Sequence, residues 1–314
     1  MQRYVVRRLL QMLPTLLLAS MVVFMIINLA PGDPAAVRLG MEATDEELAL
    51  ERARLGLDKP LPLRYLIWLS DIGRGRLGTS MSVRLPVTTL IANALPNTLR
   101  LTVTVMTFST LVGSILGLVS ALRQNSRVDT LITGVSAVAL SIPSFWLGIL
   151  LILLFSVRLQ WLPPSGARDP AGNAFSNLRY LVLPSLSLLA ASTAYQARWV
   201  RSSVIDVMSS DYIRTARAKG LRERVVVARH AMKNVMIPIV TVMGMQFGGM
   251  IGGAVVTESV FAYQGIGRLT VRSISFRDYP VVQGTLIIVS VVYLFTNMLV
   301  DLLYGFLDPR VRLE

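Results

Sequence analysis

The chain has few residues with which to make or break covalent bonds. It holds no cysteine and a single histidine, His230, among 314 residues. A thiolate nucleophile, a disulfide and a metal cage of several histidines are therefore excluded for this chain alone. Its lysines are Lys59, Lys219 and Lys233, and none follows a glycine. The Gly-rich phosphate loop that ends in Gly-Lys-Ser/Thr cannot be written, so the chain does not hydrolyse ATP by that route. An intramembrane hydrolase would need a buried Ser–His, a pair of aspartates or a His–Glu zinc site. His230 lies in a polar stretch, and no carboxylate pair falls inside an apolar run. The expectation is no catalytic residue, no metal ligand and no bound cofactor.

What remains is chemistry of docking, gathered in residues 204–238. This stretch is polar and basic between two long apolar runs. Asp211 is read as an N-cap, because its carboxylate can accept from the free N–H groups of a first turn. Tyr212 to Lys219 contain no Pro or Gly, and Gly220 supplies the left-handed residue that ends a helix. Ile213 and Ala216 fall on one side; Arg214 and Arg217 fall together on another. The reading is a helix of about two turns at a membrane surface, with a small-residue face and a cationic face. A basic loop that only sets membrane orientation is the alternative.

The elements around it are those of a membrane protein. Hydrophobic residues make up 53% of the chain, and mean hydropathy is +0.59, far above a soluble domain. The net charge of +13 would suit a nucleic-acid binder. Here the basic residues flank apolar spans, so the positive-inside rule accounts for them and no nucleic acid is expected. Membrane lipid is the expected surrounding.

Arg3, Arg7 and Arg8 precede an apolar run from Leu9 to Leu29, long enough to span a bilayer of roughly 20 residues' depth. Pro31 to Pro34 then form a turn. Residues 35–98 are a polar segment of nearly balanced charge, expected outside. Within it, residues 43–55 read as an amphipathic helix with a capping box between Thr44 and Glu47. Five further runs follow at about 99–121, 131–157, 180–199, 236–257 and 282–305. Basic residues mark the N-terminus, residues 122–130, residues 200–235 and the tail from Asp308 to Arg312. The fold expected is all-α and polytopic, with six spans and both termini cytoplasmic. It divides into a first helix and turn (1–34), an external subdomain (35–98) and a five-helix core (99–314) with the cytoplasmic loop 200–235.

Gly244, Gly248 and Gly252 recur at small-xxx-small spacing in the fifth span, and Gly113 and Gly117 do so in the second. The first set is expected against a partner subunit, with packing inside the chain as its alternative, and the second inside the chain. Carboxylates and histidines at the bilayer midplane are missing, which argues against an ion-coupled carrier. Asp301, near the inner end of the last span, is expected to pair with Arg7 or Arg8. Glu258 and Asp278, near the outer face, are candidates for a gate or a substrate contact. Pairing with Arg268, Arg272 or Arg277 is their structural alternative.

Residues Asp211-Tyr-Ile-Arg-Thr-Ala-Arg-Ala-Lys-Gly-Leu221, then Arg229 to Asn234 and Pro238, resemble the coupling loop of binding-protein-dependent ABC transporter permeases. They are similar in particular to the first permease of dipeptide and oligopeptide importers. That superfamily carries Glu-Ala-Ala, three residues, then Gly; here Arg214, Thr215, Ala216 and Gly220 hold those places. Leu55 to Leu61, Arg64-Tyr65, Trp68-Leu69, Leu77 to Ser80, Ser141 to Gly148 and Trp161 to Gly166 also match. So do Glu258 to Phe261, Gly265 to Gly267, Asp278 to Pro280 and Asp308 to Arg310. The resemblance implies an importer type I permease in the bacterial inner membrane. It implies a heterodimer with a second permease, two cytoplasmic ATPase subunits that bind ATP–Mg, and an external solute-binding protein. Asp211, Tyr212, Arg214, Thr215, Ala216, Arg217, Lys219 and Gly220 would dock on the ATPase. The implied cargo is di- or oligopeptides, with nickel, glutathione or another small solute as alternatives. The absence of Cys and of membrane His disfavours nickel. A channel or scaffold without an ATPase is the reading from a different class.

Overall fold

Long apolar runs become helices because hydrocarbon offers no other partner for backbone N–H and C=O groups. The computed structural model describes residues 2–29, 33–40, 43–167 and 174–307. The helices are α1 (Gln2–Leu29), α2 (Pro34–Leu39), α3 (Asp45–Arg54), α4 (Leu61–Gly73), α5 (Val87–Leu122), α6 (Arg127–Ser141) and α7 (Ser144–Leu151). They continue as α8 (Ala174–Met208), α9 (Asp211–Ala218), α10 (Glu223–Val225), α11 (Met232–Val260), α12 (Ile266–Ser275) and α13 (Tyr279–Leu307). Wider π-helical turns extend α7 over Ile152–Arg158 and lead into α11 over Val226–Ala231. The expected turn at Pro31-Gly32 and the Asp308-Pro-Arg310 signature lie outside the described residues.

Three helices are long and apolar enough to cross a membrane unaided: Arg8–Leu29, Val87–Leu122 and Tyr279–Leu302. Two more spans exist if each of two bent pairs is counted as one. The third run is not one helix. It breaks by 94° between Arg127–Ser141 and Ser144–Arg158, where Pro143 removes a donor and holds residue 142 extended. The second run also differs from expectation. Its helix begins at Val87, so residues 87–98 belong to α5 and the boundary drawn at 98 falls inside a helix.

α5, α8 and α11 form the centre. Leu101 and Val105 of α5 meet Leu183 and Leu188 of α8, Met250 of α11, and Phe261 and Tyr263. Close approach of α5 to α8 depends on two glycines. A Cβ on Gly113 would lie 2.6 Å from the Cβ of Gln196, and one on Gly117 would lie 2.5 Å from the Ala197 carbonyl oxygen. α8 is the most polar of the long helices, with Ser185, Ser187 and Gln196 buried. It sits among neighbours, which hide those groups from lipid.

α1 lies at the rim. Arg8 at its start pairs with Asp301 near the end of α13 at 3.2 Å, as expected. Near its other end, Phe24 contacts Tyr65 and Trp68 of α4 at 5.4 and 5.5 Å between ring centroids. Tyr65 also meets the Ser20 hydroxyl at 2.8 Å. α4 therefore lies along the second half of α1, with Leu61, Leu63 and Leu66 exposed. α3 is capped as expected: Thr44 accepts from the Glu47 N–H while the Glu47 carboxylate accepts from the Thr44 N–H.

Candidate coupling surface and the opposite end of the bundle

α9 is a helix of eight residues whose amphipathic pattern is realised in full. Ile213 and Ala216 are buried against Val226 and Ala231 of the following segment, with Val207 and Met208 of α8 packed beside them. This apolar clamp holds α9 to the ends of both helices it joins. The cap differs from expectation. Ser210 occupies the N-cap position, and Asp211 is the first helical residue. The Asp211 carboxylate points instead to Arg214, 3.4 Å away, and is 94% exposed. One residue of shift is enough to carry the side chain past the free N–H groups of the first turn.

The exposed residues of α9 are arranged by short local bonds. Arg217 forms two bonds to Glu223, at 2.7 and 3.1 Å. That bonding raises the Arg217 guanidinium above its usual value. The Asn234 amide donates to the Tyr212 hydroxyl at 2.7 Å, tying α9 to the first turn of α11. Thr215 donates to the Asp211 carbonyl. Arg214 and Lys219 face outward. Gly220 has φ +73° with open space around it, the left-handed stop expected of it.

The two outer carboxylates are buried and fully engaged. Glu258 is 0% exposed. It accepts from the Thr98 hydroxyl at 2.6 Å and from the Arg268 N–H at 3.0 Å, so it sits on the N-terminus of α12. Gly265 makes room for it, since a Cβ there would lie 2.1 Å from its carboxylate oxygen. Asp278 is also 0% exposed. Its oxygens accept from the Ser80 and Ser82 hydroxyls and from the N–H groups of Met81 and Ser82. Burial alone would raise this carboxyl, but the four donors outweigh it and hold it below its ordinary value. By sequence both are candidates for a gate or a substrate contact, with structural pairing to a nearby arginine as the alternative. The structure makes them cross-links within the chain. Nor do they pair with the guanidinium groups of Arg268, Arg272 or Arg277 among the described residues. Backbone and hydroxyl donors lie closer, a pattern that residue type alone does not reveal.

The glycines of α11 divide between two faces. A Cβ on Gly244 would lie 2.6 Å from Val300, and one on Gly248 would lie 2.2 Å from Tyr293. These two therefore pack on α13 of the same chain, and the expectation of a partner at those positions is corrected. Gly252 has nothing within 4 Å. With Gly249 and Gly253 it lies on an open side, beside a cleft of about 410 Å³ lined by Tyr195, Met245 and Gln246.

One network went unnoticed in the sequence. Asp129, near the start of α6, has a side chain only 6% exposed. It receives Arg201 of α8 through two bonds of 2.7 and 2.8 Å, the Ser120 hydroxyl of α5, and the Asn125 N–H at 2.9 Å. Three helices are thus joined ten residues before α9 begins. The signal was Ser126 followed three residues on by Asp129, a capping spacing; the Ser126 hydroxyl accepts the Asp129 N–H at 3.3 Å.

A surface helix clamped at the joint of two long helices of a membrane bundle suits a transport permease. Residues 113–313 match the family described as binding-protein-dependent transport system inner membrane component, and residues 1–102 match its N-terminal companion. The chain belongs to this family: it is a multi-pass inner-membrane permease of an ABC importer, a non-catalytic subunit that works with ATPase and substrate-binding protein partners. The channel or scaffold reading falls with that result. The chain is 44% identical over 312 residues to the glutathione transport system permease protein GsiC of Pectobacterium atrosepticum, covering 99% of each. It is 42% identical over 312 residues to GsiC of Escherichia coli K12, again covering 99% of each. Its fold is similar to the MetNI methionine ABC transporter in inward-facing conformations, with TM-score 0.58 and 15% identity over 70% of this chain and 97% of that one. An amino acid ABC transporter with histidines gives TM-score 0.51 and 18% identity over 69% and 94%.

Proposed function

We propose that this chain carries glutathione or a similar short peptide into the cell, as one of two related permeases in an importer driven by a pair of ATPase subunits. The observation that carries the coupling part is α9. Its apolar side is locked to α8 and α11, while Arg214, Arg217 and Lys219 remain outside for a partner. The substrate reading rests on the GsiC relatives, whose names state glutathione transport. Glutathione is itself a tripeptide, so it narrows the expected peptide class. The topology that goes with this reading is six spans with both termini cytoplasmic: three straight helices and two bent pairs give five, and α8 is taken as the sixth.

ATP–Mg bound by the partner subunits closes the ATPase pair, which moves α9. Because α9 is clamped at both ends, α8 and α11 follow, and the cavity shared with the second permease changes the side to which it opens. For this to work, α9 must dock with different free energy in the two states. The open side of α11 at Gly252 is the face offered to the second permease.

Gly220→Pro in the whole importer is the test of coupling. Uptake of labelled glutathione into vesicles should be abolished while the permease still inserts and assembles; normal uptake would refute the role of α9. Uptake of dipeptides but not glutathione by the unaltered importer would refute the substrate assignment and leave the coupling intact.

A further inference from the structure

A cleft lined by α1, α4 and the start of α13 lies at the end of the bundle away from α9 and has no part in the coupling scheme. Contacts of Gly244 and Gly248 with Val300 and Tyr293 place the start of α11 beside the end of α13. The Arg8–Asp301 pair places the start of α1 at that same end. The cleft is at the other end, where α1 finishes and α13 begins, under the α3–α4 subdomain. Its volume is about 660 Å³, within the range of small-molecule sites.

The lining is divided by chemistry. Phe24 and Ile27 of α1 and Ile67 and Trp68 of α4 form an apolar wall, and Arg54, Lys59 and Arg64 bring cations to it; Arg54 lies 3.9 Å from Glu51, which leaves Lys59 and Arg64. Arg52 and Asp33 are also present, but they neutralise each other at 2.6 Å. Asp71 is the one further carboxylate in the lining, so positive charge is in excess. Arg64 is half-buried; its backbone N–H donates to the Pro60 carbonyl, but its guanidinium has no hydrogen bond or ion pair among the described residues. A guanidinium in that condition is poised for an anion, because its desolvation is otherwise uncompensated.

Position decides which anion. α1 packs chiefly on α13 and α4, at the rim of the bundle. Along the same half of α1, Leu18, Met21, Val22, Ile26 and Leu29 are exposed, as are Leu63 and Leu66 of α4. These surfaces face acyl chains, and the cleft stands beside them. We propose that the cleft holds one phospholipid, its phosphodiester on Arg64 and Lys59 and its chains along Phe24, Ile27 and Trp68. Basic clefts beside apolar helix surfaces recognise headgroups in this way, and a guanidinium meets phosphate through paired N–H bonds.

The test uses the purified importer, delipidated and then titrated with phosphatidylglycerol while bound lipid is counted by native mass spectrometry. One tightly held phospholipid per copy of this chain is expected. Arg64→Ala and Lys59→Ala should each weaken its retention about tenfold, the loss of one charge-assisted bond. Arg74→Ala, an exposed cation outside the cleft, should leave it unchanged and control for folding. Diacylglycerol with the same chains should not be retained, and free glycerol phosphate should not compete. Retention unaltered in the Arg64 and Lys59 variants would overturn the site. Equal binding of free glycerol phosphate would overturn the lipid and leave a simple anion site. Because lipid counting needs no transport, its outcome is separate from that of the importer reading.

Discussion

Replacing Asp129 by Ala should destabilise the half of the bundle that carries α9 and weaken the link between α9 and the core. The carboxylate accepts two bonds from Arg201, one from Ser120 and one from the Asn125 N–H. Its removal leaves a guanidinium whose nearest charge is gone. Stripping one partner from a fully buried pair costs about 3–5 kcal/mol. The Arg201 side chain is 30% exposed, so water can solvate part of it, and we expect about 2–3 kcal/mol. The assay is a double-mutant cycle on the purified permease complex, following thermal unfolding of Asp129→Ala, Arg201→Ala and the double variant. The double variant should be more stable than the sum of the single losses predicts, because it buries no orphaned charge. Substrate uptake per ATP hydrolysed should fall in Asp129→Ala. Additive losses, or a single variant with unchanged unfolding temperature, would refute the reasoning.

Gly248→Ala should cost about 1–3 kcal/mol by overpacking, since its methyl would meet Tyr293 at 2.2 Å. Gly252→Ala, with open space around it, should change the stability of the subunit by less than about 0.5 kcal/mol; thermal unfolding of the two variants side by side checks both. Gly252→Leu should instead impair recovery of the second permease on co-purification, and undiminished recovery would show that this side of α11 faces something else. Asp278 has a folded value below its unfolded 3.8. Its contribution is therefore complete above about pH 4 and is lost as pH falls through the folded value. Asp278→Asn should remove that part of the acid sensitivity, seen as a flatter stability curve below pH 4. Arg217→Ala, which breaks an exposed pair with Glu223, should change stability by about 0–1 kcal/mol yet reduce uptake; a matching loss of both would reassign it to structure.

Local pattern carried much of the fold. Each expected apolar run but the third lies within one helix, the third being broken at Ile142-Pro143, and Gly220 ends α9 as its type requires. These features depend on residues near one another in sequence, through hydrocarbon solvation, turn chemistry and 3.6-residue periodicity. The same is true of the face of α9, where Ile213 and Ala216 turn inward. The N-cap was misplaced by one residue, because Ser210 and Asp211 are both good caps and only the path of the incoming chain chooses between them.

The sequence alone also excluded ATP hydrolysis by a phosphate loop, thiol chemistry and multi-histidine metal sites, since missing residue types cannot be supplied by folding. Tertiary structure decided what each charged or small residue faces. Glu258 and Asp278 look like free carboxylates at a membrane face. They become helix-end and loop cross-links because Thr98, Ser80 and Ser82, about 160 to 200 positions away, come within bonding distance. Asp129 and Arg201 are separated by 72 positions and look like loop charges until α6 and α8 pack together. The α11 glycines share one spacing yet face different neighbours, since the rotation of a helix about its axis is set by what packs on it. Such pairings arise from burial among distant segments, and that is the information a linear pattern does not hold.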